Sequence, residues 1–369
     1  MNSPFIQDKI AAANFMVVGC GALGNEVLKN LALMGAQHLI LVDFDRVEVG
    51  NLSRSVLFTR EDVGEKKVDV AAQKLRHMNP QMQVRPIFGD ISYDVGLGLL
   101  RQMDVVLGCV DSRWARYCIN RLCMRAGIPW VDGGIDTLEG TARVFAPGRN
   151  CYACNLGPEG LKDIHRRLPC SGMIRRNEEA GHAPTTSITA SIIGAVMVQE
   201  ALKLLHPQAD LASLCGKMFY FEGGQLSTKV LDFEAYDPDC PVHTCWEPVQ
   251  KTDIEAETSI QDALTRLQKQ LNSENATIHL TADCFVDEVV KRSDNSRTEV
   301  MRPGRQVAAF LEQDSGFDAR LLSELYQHEY REIDSHFPYR ELTLRQLGIP
   351  EHDVLWVSAG SGDYYMEMV

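Results

Sequence analysis

A glycine-rich turn near the N terminus is the first sequence feature that could do chemistry. An apolar strand over residues 15–18 runs into Gly19, Gly21 and Gly24. The helix that follows would point its free N–H groups at a phosphate. Asp43 closes the next apolar run, HLILVD, about 20 positions further on. A glycine turn followed by such an acidic residue is equally typical of a dinucleotide site, in which the acid holds a ribose hydroxyl.

Four more polar residues follow at spacings that hydride transfer does not need: Asp45, Asn51, Arg54 and Lys67. A fixed guanidinium and a fixed ammonium suit a triphosphate whose charge shifts during attack at the α-phosphorus. Each residue alone also has a structural interpretation. Asp43 could cap a helix, as could Asp111 further along in the segment VVLGCVDSRWAR. Arg54 or Lys67 could be a solvated surface charge. The ordered set therefore favours AMP transfer over NAD chemistry.

With these motifs the sequence resembles the ubiquitin-activating superfamily, including the bacterial adenylyltransferases that activate sulfur-carrier proteins. The stretch GALGNEVLKNLALMG is especially similar to the ubiquitin-type members. The resemblance implies that Asp43 holds the ribose of ATP, with Asp45 beside it. It also implies phosphate contacts from Asn51, Arg54 and Lys67. Asp111, in VVLGCVDSRWAR, matches the magnesium-associated aspartate of the family.

Composition and charge limit the class of protein. The chain has 369 residues, of which 45% are hydrophobic, so two domains with real cores are expected. Its 37 basic and 50 acidic residues give a net charge of -13, which argues against nonspecific binding to nucleic acid or anionic membrane. No N-terminal signal region is visible, and no apolar run is expected to reach the about 18 residues of a membrane span. We expect a cytoplasmic protein whose partners are proteins or small molecules.

Strands alternate with helices up to about residue 133, which predicts an α/β fold: a Rossmann-like, doubly wound, mostly parallel sheet. Ligands would lie at the carboxyl ends of its strands, where the glycine turn, Asp43 and Asp111 fall. A smaller C-terminal α+β domain would follow. We predict an adenylation domain over 1–250 and an accessory domain over 251–369. The adenylation domain would contain the nucleotide site in 15–135, a crossover loop and zinc knuckle in 151–185, and a long helix over 186–205.

The C-terminal third contains a helical pattern, IQDALTRLQKQL, and a strand candidate, ATIHL. Its ending, ELTLRQLGIPEHDVLWVSAGSGDYYMEMV, predicts a short helix, a proline turn and two strands. Such an ending could belong to a β-grasp-like module, which in ubiquitin-activating enzymes recruits the conjugating enzyme. An accessory α+β domain of another role is the alternative.

Cysteine spacing predicts a metal site. The eleven cysteines do not form the pattern of a secreted disulfide framework. Cys151 and Cys154 form a CxxC, and Cys240 and Cys245 form CPVHTC with His243 between them. Two such pairs can close a tetrahedral zinc site, with Cys245 or His243 as the fourth ligand. The related enzymes often carry a structural zinc at this place. Reduced cysteines packed as small hydrophobes are the alternative.

Cys170 lies in a polar, glycine-containing stretch, DIHRRLPCSGMIRRNEEAGHAPTT. Cys170 and Ser171 resemble the Cys-Thr pair at which ubiquitin-type activating enzymes form a thioester. Four nearby arginines would favour the thiolate. The alternative is a bystander cysteine, because sulfur-carrier activators also place loops here. His165 and His182 could serve as bases or lie on the surface.

One expected residue is absent. Many homodimeric relatives carry an arginine upstream of the glycine turn that reaches into the partner's site, whereas the first arginine here is Arg46. The open explanations are that a segment is missing, that a second subunit supplies the charge, or that Lys9 substitutes poorly. We expect the chain to form a homodimer or a heterodimer.

The resemblance as a whole implies an enzyme that uses Mg²⁺ and ATP to adenylate the C-terminal glycine of a ubiquitin-like protein. It would then pass the acyl group to Cys170 and to a conjugating enzyme, with Zn²⁺ in a structural role. The alternative is an adenylyltransferase for a sulfur-carrier protein that stops at the acyl adenylate.

Overall fold

The computed structural model describes residues 5–157, 160, 164, 185–208, 211–232, 236–315, 325–360 and 362–369. These residues form two compact units. The first is built from the described residues of Met1–Ser92, Leu100–Leu161 and Ala183–Cys245. The second is built mainly from those of Tyr93–Leu99 and Trp246–Val369.

A central sheet organises the first unit. Among its described residues the strand order is β3-β2-β1-β4-β5-β6-β7-β8, in which the neighbours from β3 to β5 are parallel and those from β5 to β8 antiparallel. The α/β prediction with a mostly parallel core is confirmed. The strands are Asn14–Val18 (β1), His38–Asp43 (β2), Gln83–Phe88 (β3), Val105–Gly108 (β4), Trp130–Ile135 (β5), Glu139–Phe145 (β6), Lys217–Glu222 (β7) and Ser227–Asp232 (β8).

Helices alternate with these strands in sequence, and capping residues mark where they begin and end. Arg113–Ala126 begins where the Ser112 hydroxyl accepts a hydrogen bond from the amide of Ala115 (3.0 Å), and it ends at Gly127 in the left-handed conformation. The helices up to residue 205 are Gln7–Ala12 (α1), Ala22–Leu33 (α2), Lys67–Met78 (α3), Leu97–Leu100 (α4), Arg113–Ala126 (α5) and Ser187–Leu205 (α6).

Helix α6, which begins at the Thr186 cap, corrects one expectation. Within the described chain it is long and apolar enough to cross a membrane by length and composition, although the sequence was expected to contain no such run. Half of it is buried, and its packing is that of a core helix. A Cβ atom at Gly140 of β6 would overlap the side chain of Ile193, and one at Gly194 would lie 2.9 Å from Cβ of Glu26. The glycines therefore allow α6 to approach both the sheet and α2 closely.

The second unit is α+β. Its described strands form a mixed sheet of order β14-β10-β15-β16-β9 and an antiparallel sheet of order β12-β11-β13. Helix α7 buries Ile260, Ala263, Leu264 and Leu267, the one-sided pattern of an amphipathic helix. The elements are Val249–Lys251 (β9), Ile260–Leu271 (α7), Ala276–His279 (β10), Phe285–Lys291 (β11), Arg297–Pro303 (β12), Val307–Ser315 (α8), Leu325–Tyr330 (β13), Glu332–Ile333 (β14), Val354–Ala359 (β15) and Gly362–Glu367 (β16).

The short helix predicted in ELTLRQLG is wrong, because residues 341–348 form turns. The amide of Thr343 donates to Oε1 of Gln346 (2.8 Å), and the amide of Gln346 donates to Oγ1 of Thr343 (3.3 Å). Gly348 then has φ +89°, and Pro350 follows. A helix cannot extend through that glycine and proline, so a single turn remains.

Residues 93–99 belong to the second unit although they lie far from it in sequence. The amide of Leu97 donates to Oδ1 of Asp353 (2.8 Å). Arg305 pairs with Asp94 (3.4 Å) and lies over the ring of Tyr93 (4.7 Å to the centroid). Polar and ring contacts therefore hold this insertion, which the sequence did not reveal.

Candidate functional site

The glycine turn is set by backbone crowding at two positions. Gly19 has φ +95°, and a Cβ atom there would lie 2.5 Å from the carbonyl oxygen of Cys109. A Cβ atom at Gly24 would overlap the carbonyl of Gly19. A side chain at Gly19 would force the turn away from Cys109, which follows β4, and one at Gly24 would force α2 away from the turn. Both glycines are therefore needed for the shape of the turn.

Gly21 differs from its neighbours because the space around it is open. No described atom lies within 4 Å of where its Cβ would be. Gly21 is also the N-cap of α2, and neither a side-chain cap nor an acidic residue occupies the first turn of that helix. The first amides of a helix lack intrahelical partners. The turn thus offers room and hydrogen-bond donors to an anion.

Asp43, at the end of β2, is bound to the same turn. Its Oδ2 accepts from the amide of Cys20 (2.6 Å), and its Oδ1 accepts from the amide of Asp45 (2.7 Å). Burial raises the pKa of the Asp43 carboxyl, while Lys67 opposes that rise. The carboxylate keeps further lone pairs for a ligand hydroxyl.

Lys67, the first residue of α3, is a buried cation beside these acids. Its Nζ lies 2.7 Å from Oδ2 of Asp45, and its amide donates to the carbonyl of Asp45 (3.1 Å). Burial alone would lower the pKa of Lys67, but Asp43 and Asp45 raise it above the ordinary value. The ammonium is therefore held charged and in place at neutral pH.

Asn51 ends a short 3-10 helix after β2, Val49–Asn51, and Arg54 lies in the turn that follows it. Oδ1 of Asn51 accepts from the amide of Glu48 (3.0 Å), which caps that helix. A guanidinium nitrogen of Arg54 donates to the carbonyl of Gly50 (2.8 Å). Within the described residues Arg54 hydrogen-bonds inside its own segment and not to Asp45 or Lys67. The structure thus joins Asp43, Asp45 and Lys67 directly, and holds Arg54 in a separate loop.

Asp111 follows β4 and is exposed. Its carbonyl oxygen accepts from a guanidinium nitrogen of Arg116 (3.3 Å). The helix cap here is Ser112, so helix capping by Asp111, the structural alternative, does not apply. One exposed carboxylate fits a magnesium ion that arrives bound to phosphates.

A buried ion triad near Asp111 was not apparent from the sequence. Asp132 on β5 is fully buried and accepts from Nε of Arg116 (2.9 Å) and from Nε of Arg143 (3.0 Å). The signal available was Asp132 itself, a carboxylate inside the otherwise apolar strand motif PWVDGG. Its two partners lie on a helix and on the next strand, which sequence spacing does not connect.

Three cysteines and one histidine converge in the first unit. The ligand atoms of Cys151, Cys154, Cys240 and His243 all lie within 4.8 Å of one another. Sγ of Cys151 is 3.7 Å from Sγ of Cys154 and 3.8 Å from Sγ of Cys240. Tetrahedral zinc with Zn–S bonds of about 2.3 Å requires sulfur separations of roughly 3.8 Å. The donor set and its spacing fit zinc.

Of the two candidates for the fourth ligand, Cys245 and His243, Cys245 lies outside the cluster. Cys245 is exposed, and its Sγ lies 3.6 Å from the carbonyl oxygen of Arg125. A turn after Cys240, in which the amide of His243 donates to the Cys240 carbonyl (3.3 Å), brings the imidazole inward. Nε2 of His243 lies 3.1 Å from Sγ of Cys154. His243 is therefore the fourth candidate ligand.

The predicted thioester cysteine, Cys170, lies outside the described residues, as do His165 and His182. Cys284 of the second unit, the next candidate acceptor after Cys170, is buried, and burial raises the pKa of its thiol to about 12. A protonated, buried thiol is a poor nucleophile.

Lys9 and Arg46 are the two cations that bear on the absent upstream arginine. Lys9 is exposed on α1. Arg46 donates to the carbonyl of Gly64 (2.9 Å) and lies over the ring of Phe88 (5.7 Å to the centroid). Arg46 is therefore engaged at the edge of its own sheet.

Comparison with known proteins decides the family. The family model described as the ThiF family matches residues 3–242. The chain belongs to the ThiF family. This ThiF protein is 30% identical over 236 residues to the SAMP-activating enzyme E1 of Haloferax volcanii, covering 64% of the chain and 82% of the relative. It is 31% identical over 258 residues to the sulfur carrier protein adenylyltransferase of Thermus thermophilus, covering 68% and 89%.

The fold of this ThiF protein also occurs among solved structures. Escherichia coli MccB, crystallised with succinimide, superposes with a TM-score of 0.54 at 25% identity, covering 65% of this chain and 68% of MccB. The resemblance to the superfamily of ubiquitin-activating and sulfur-carrier-activating enzymes is thereby confirmed.

Proposed function

We propose that this ThiF protein uses MgATP to adenylate the C-terminal carboxylate of a ubiquitin-like or sulfur-carrier protein. The observation that carries the proposal is the buried Lys67, paired with Asp45 beside Asp43 and the glycine turn. A fixed cation at this place suits a triphosphate, whose negative charge shifts during attack at the α-phosphorus, and hydride transfer involves no such shift on the phosphates. The names of the Haloferax and Thermus relatives support the same activity.

The proposed reaction needs no protein nucleophile. A carboxylate oxygen of the carrier forms a bond to the α-phosphorus of ATP. The bond from that phosphorus to the bridging oxygen of the β-phosphate breaks, and pyrophosphate leaves with the electron pair. Asp43 would accept from the ribose, and the α2 amides, Arg54 and Lys67 would bind the phosphates. Alignment and charge neutralisation then supply the rate enhancement.

The zinc site would be structural. Its four candidate ligands are protein groups, so no open position is left for a substrate. Bound zinc would hold residues 151–154 to residues 240–243 and so contribute to folding.

Two finer proposals concern the fate of the acyl adenylate and the subunit composition of the enzyme. We propose that Cys170 attacks the acyl carbon, forming a thioester as AMP leaves, and that a conjugating enzyme takes the acyl group. The alternative, favoured by the name of the Thermus relative, is that the enzyme stops at the acyl adenylate. We also propose that a second subunit, in a homodimer or heterodimer, supplies the positive charge that Arg46 does not provide.

Exchange of labelled pyrophosphate into ATP tests the common step. Purified enzyme with MgATP and a candidate carrier ending in glycine should catalyse exchange, and the same carrier lacking its last glycine is the matched control. Exchange that does not depend on the carrier, or tighter calorimetric binding of NAD than of ATP, would overturn the proposed function.

A further inference from the structure

Asn25, in the first turn of α2, is a fully buried amide that connects two parts of the candidate nucleotide site. Its Nδ2 donates to the carbonyl oxygens of Cys20 (2.8 Å) and Gly21 (3.0 Å). Its Oδ1 accepts from the amide of Leu57 (2.8 Å). A single side chain thus binds the glycine turn and the segment that carries Arg54.

The contacts with the turn determine which way its peptide groups face. The C=O and N–H of a trans peptide point in opposite directions. When Asn25 holds the carbonyl of Cys20, the amide of Gly21 points away from Asn25. The carbonyl of Gly21, which also accepts from the backbone amide of Asn25 (2.9 Å), orients the amide of Ala22 in the same way. These are amides at the open side of the turn, where an anion has room.

The contact with Leu57 fixes the other part. The hydrogen bonds of the Arg54 segment are mostly local, such as Arg54 amide to Asn51 carbonyl (3.1 Å) and Phe58 amide to Ser55 carbonyl (3.2 Å). Leu57 is buried and lies three residues after Arg54. The Asn25 bond therefore ties this segment to the start of α2 at a defined distance from the glycine turn.

We infer that Asn25 is a positioning residue for the nucleotide: it orients the amides of the glycine turn and holds the Arg54 segment in register with them. The inference rests on the proposed function for its choice of ligand, ATP. Asn25 itself is buried behind the turn and would act through Gly21, Ala22 and Arg54.

Asn120 provides a matched control in the same unit. It is also a fully buried asparagine, and its Oδ1 accepts from the amide of Tyr152 (3.0 Å) and from Nε1 of Trp130 (3.3 Å). Asn120→Ala removes the same atoms from a similar environment but touches no part of the glycine turn. Both alanine variants should unfold at lower temperature than wild type, since each leaves buried partners unsatisfied.

The decisive measurement is the ATP dependence of pyrophosphate exchange at a temperature where all variants are folded. Asn25→Ala should raise the KM for ATP, or lower kcat/KM, by about tenfold or more, because misplaced binding groups lose alignment. Asn120→Ala should keep the wild-type KM. Equal KM values together with equal kcat/KM values for ATP in the two alanine variants would overturn the inference.

Asn25→Asp separates the two contacts and covers the case in which Asn25→Ala does not fold. At a pH high enough to ionise this buried carboxyl, the carboxylate can still accept from the amide of Leu57 but cannot donate to the carbonyls of Cys20 and Gly21. Calorimetric binding of MgATP should weaken in Asn25→Asp by about tenfold. Unchanged affinity would count against the inference. If wild-type enzyme binds MgATP but shows no exchange, the proposed function fails while this binding test still decides the role of Asn25.

Discussion

Lys67 and Asp45 are linked twice, by the ammonium-carboxylate contact of 2.7 Å and by a backbone hydrogen bond of 3.1 Å. The second link fixes the first residue of α3 against the chain that leaves β2, so the ammonium cannot move far from Asp43. A buried cation with this support is preorganised for a ligand whose negative charge grows during reaction.

We predict that Lys67→Ala lowers carrier-dependent pyrophosphate exchange by at least about a hundredfold, because a transition-state charge contact is lost. Lys66→Ala is the control. Lys66 is the neighbouring cation, but its Nζ lies over the ring of Phe88 (4.6 Å to the centroid). Comparable rates for Lys67→Ala and wild type would remove Lys67 from the site.

Arg54→Ala should also lower exchange by at least about a hundredfold. Arg60→Ala, which removes an exposed arginine from the next short helix, should leave the rate near wild type. Because the side-chain hydrogen bond of Arg54 is to Gly50 of its own segment, near-normal thermal stability of Arg54→Ala is expected. A rate loss accompanied by unfolding would mean that the residue serves the loop rather than the nucleotide.

For the metal site, purified protein should contain about one zinc per chain. Cys151→Ser and His243→Ala should lower both zinc content and thermal stability, since metal binding contributes to folding. Cys245→Ser should keep the zinc, because this thiol lies outside the cluster. Elemental analysis and thermal unfolding together check this, and loss of zinc in Cys245→Ser but not in His243→Ala would make Cys245 the fourth ligand instead of His243.

Wild-type enzyme with MgATP and its cognate carrier should form a covalent adduct that excess thiol releases, because thiolates exchange with thioesters but leave isopeptide bonds intact. Cys170→Ala should abolish the adduct and keep pyrophosphate exchange. Cys284→Ala is the control and should keep both, given its buried, protonated thiol. An enzyme that exchanges pyrophosphate yet never forms an adduct would support the sulfur-carrier alternative.

Asp132→Ala should lower the free energy of unfolding by about 3 kcal/mol, because two largely buried guanidinium groups lose their shared carboxylate. Asp136→Ala, at an exposed turn after the same strand, should change it little. Urea unfolding of the two variants measures the difference, and a loss for Asp132→Ala no larger than that for Asp136→Ala would show that the triad is not stabilising.

Local pattern predicted the elements well where strand or helix signals were uninterrupted. The run HLILVD forms the strand His38–Asp43, and IQDALTRLQKQL forms the helix Ile260–Leu271. Ser112 caps the helix Arg113–Ala126. Such segments fold as their own periodicity and end residues dictate.

Features that depend on contacts between different elements could not be predicted from the local pattern. Whether His243 or Cys245 turns toward the metal site depends on a turn of a few residues, and sequence spacing allowed both. The roles of Asn25, a polar residue in a helix, and of Asp132, a carboxylate in an apolar strand, could not be predicted, because their partners lie on other elements. The assignment of residues 93–99 to the second unit also depends on contacts with residues more than two hundred positions away.

That insertion has a consequence for biosynthesis. Leu97 leaves the ribosome 256 residues before Asp353, its hydrogen-bond partner. At roughly 5–20 residues per second, the delay is about 13 to 50 s. Leu97 and Leu99, which are buried in the finished protein, have no completed second unit to pack against during that time. The nascent chain therefore exposes an apolar segment in the middle of a unit that is otherwise ready to fold, and this is where we expect a chaperone to bind during translation.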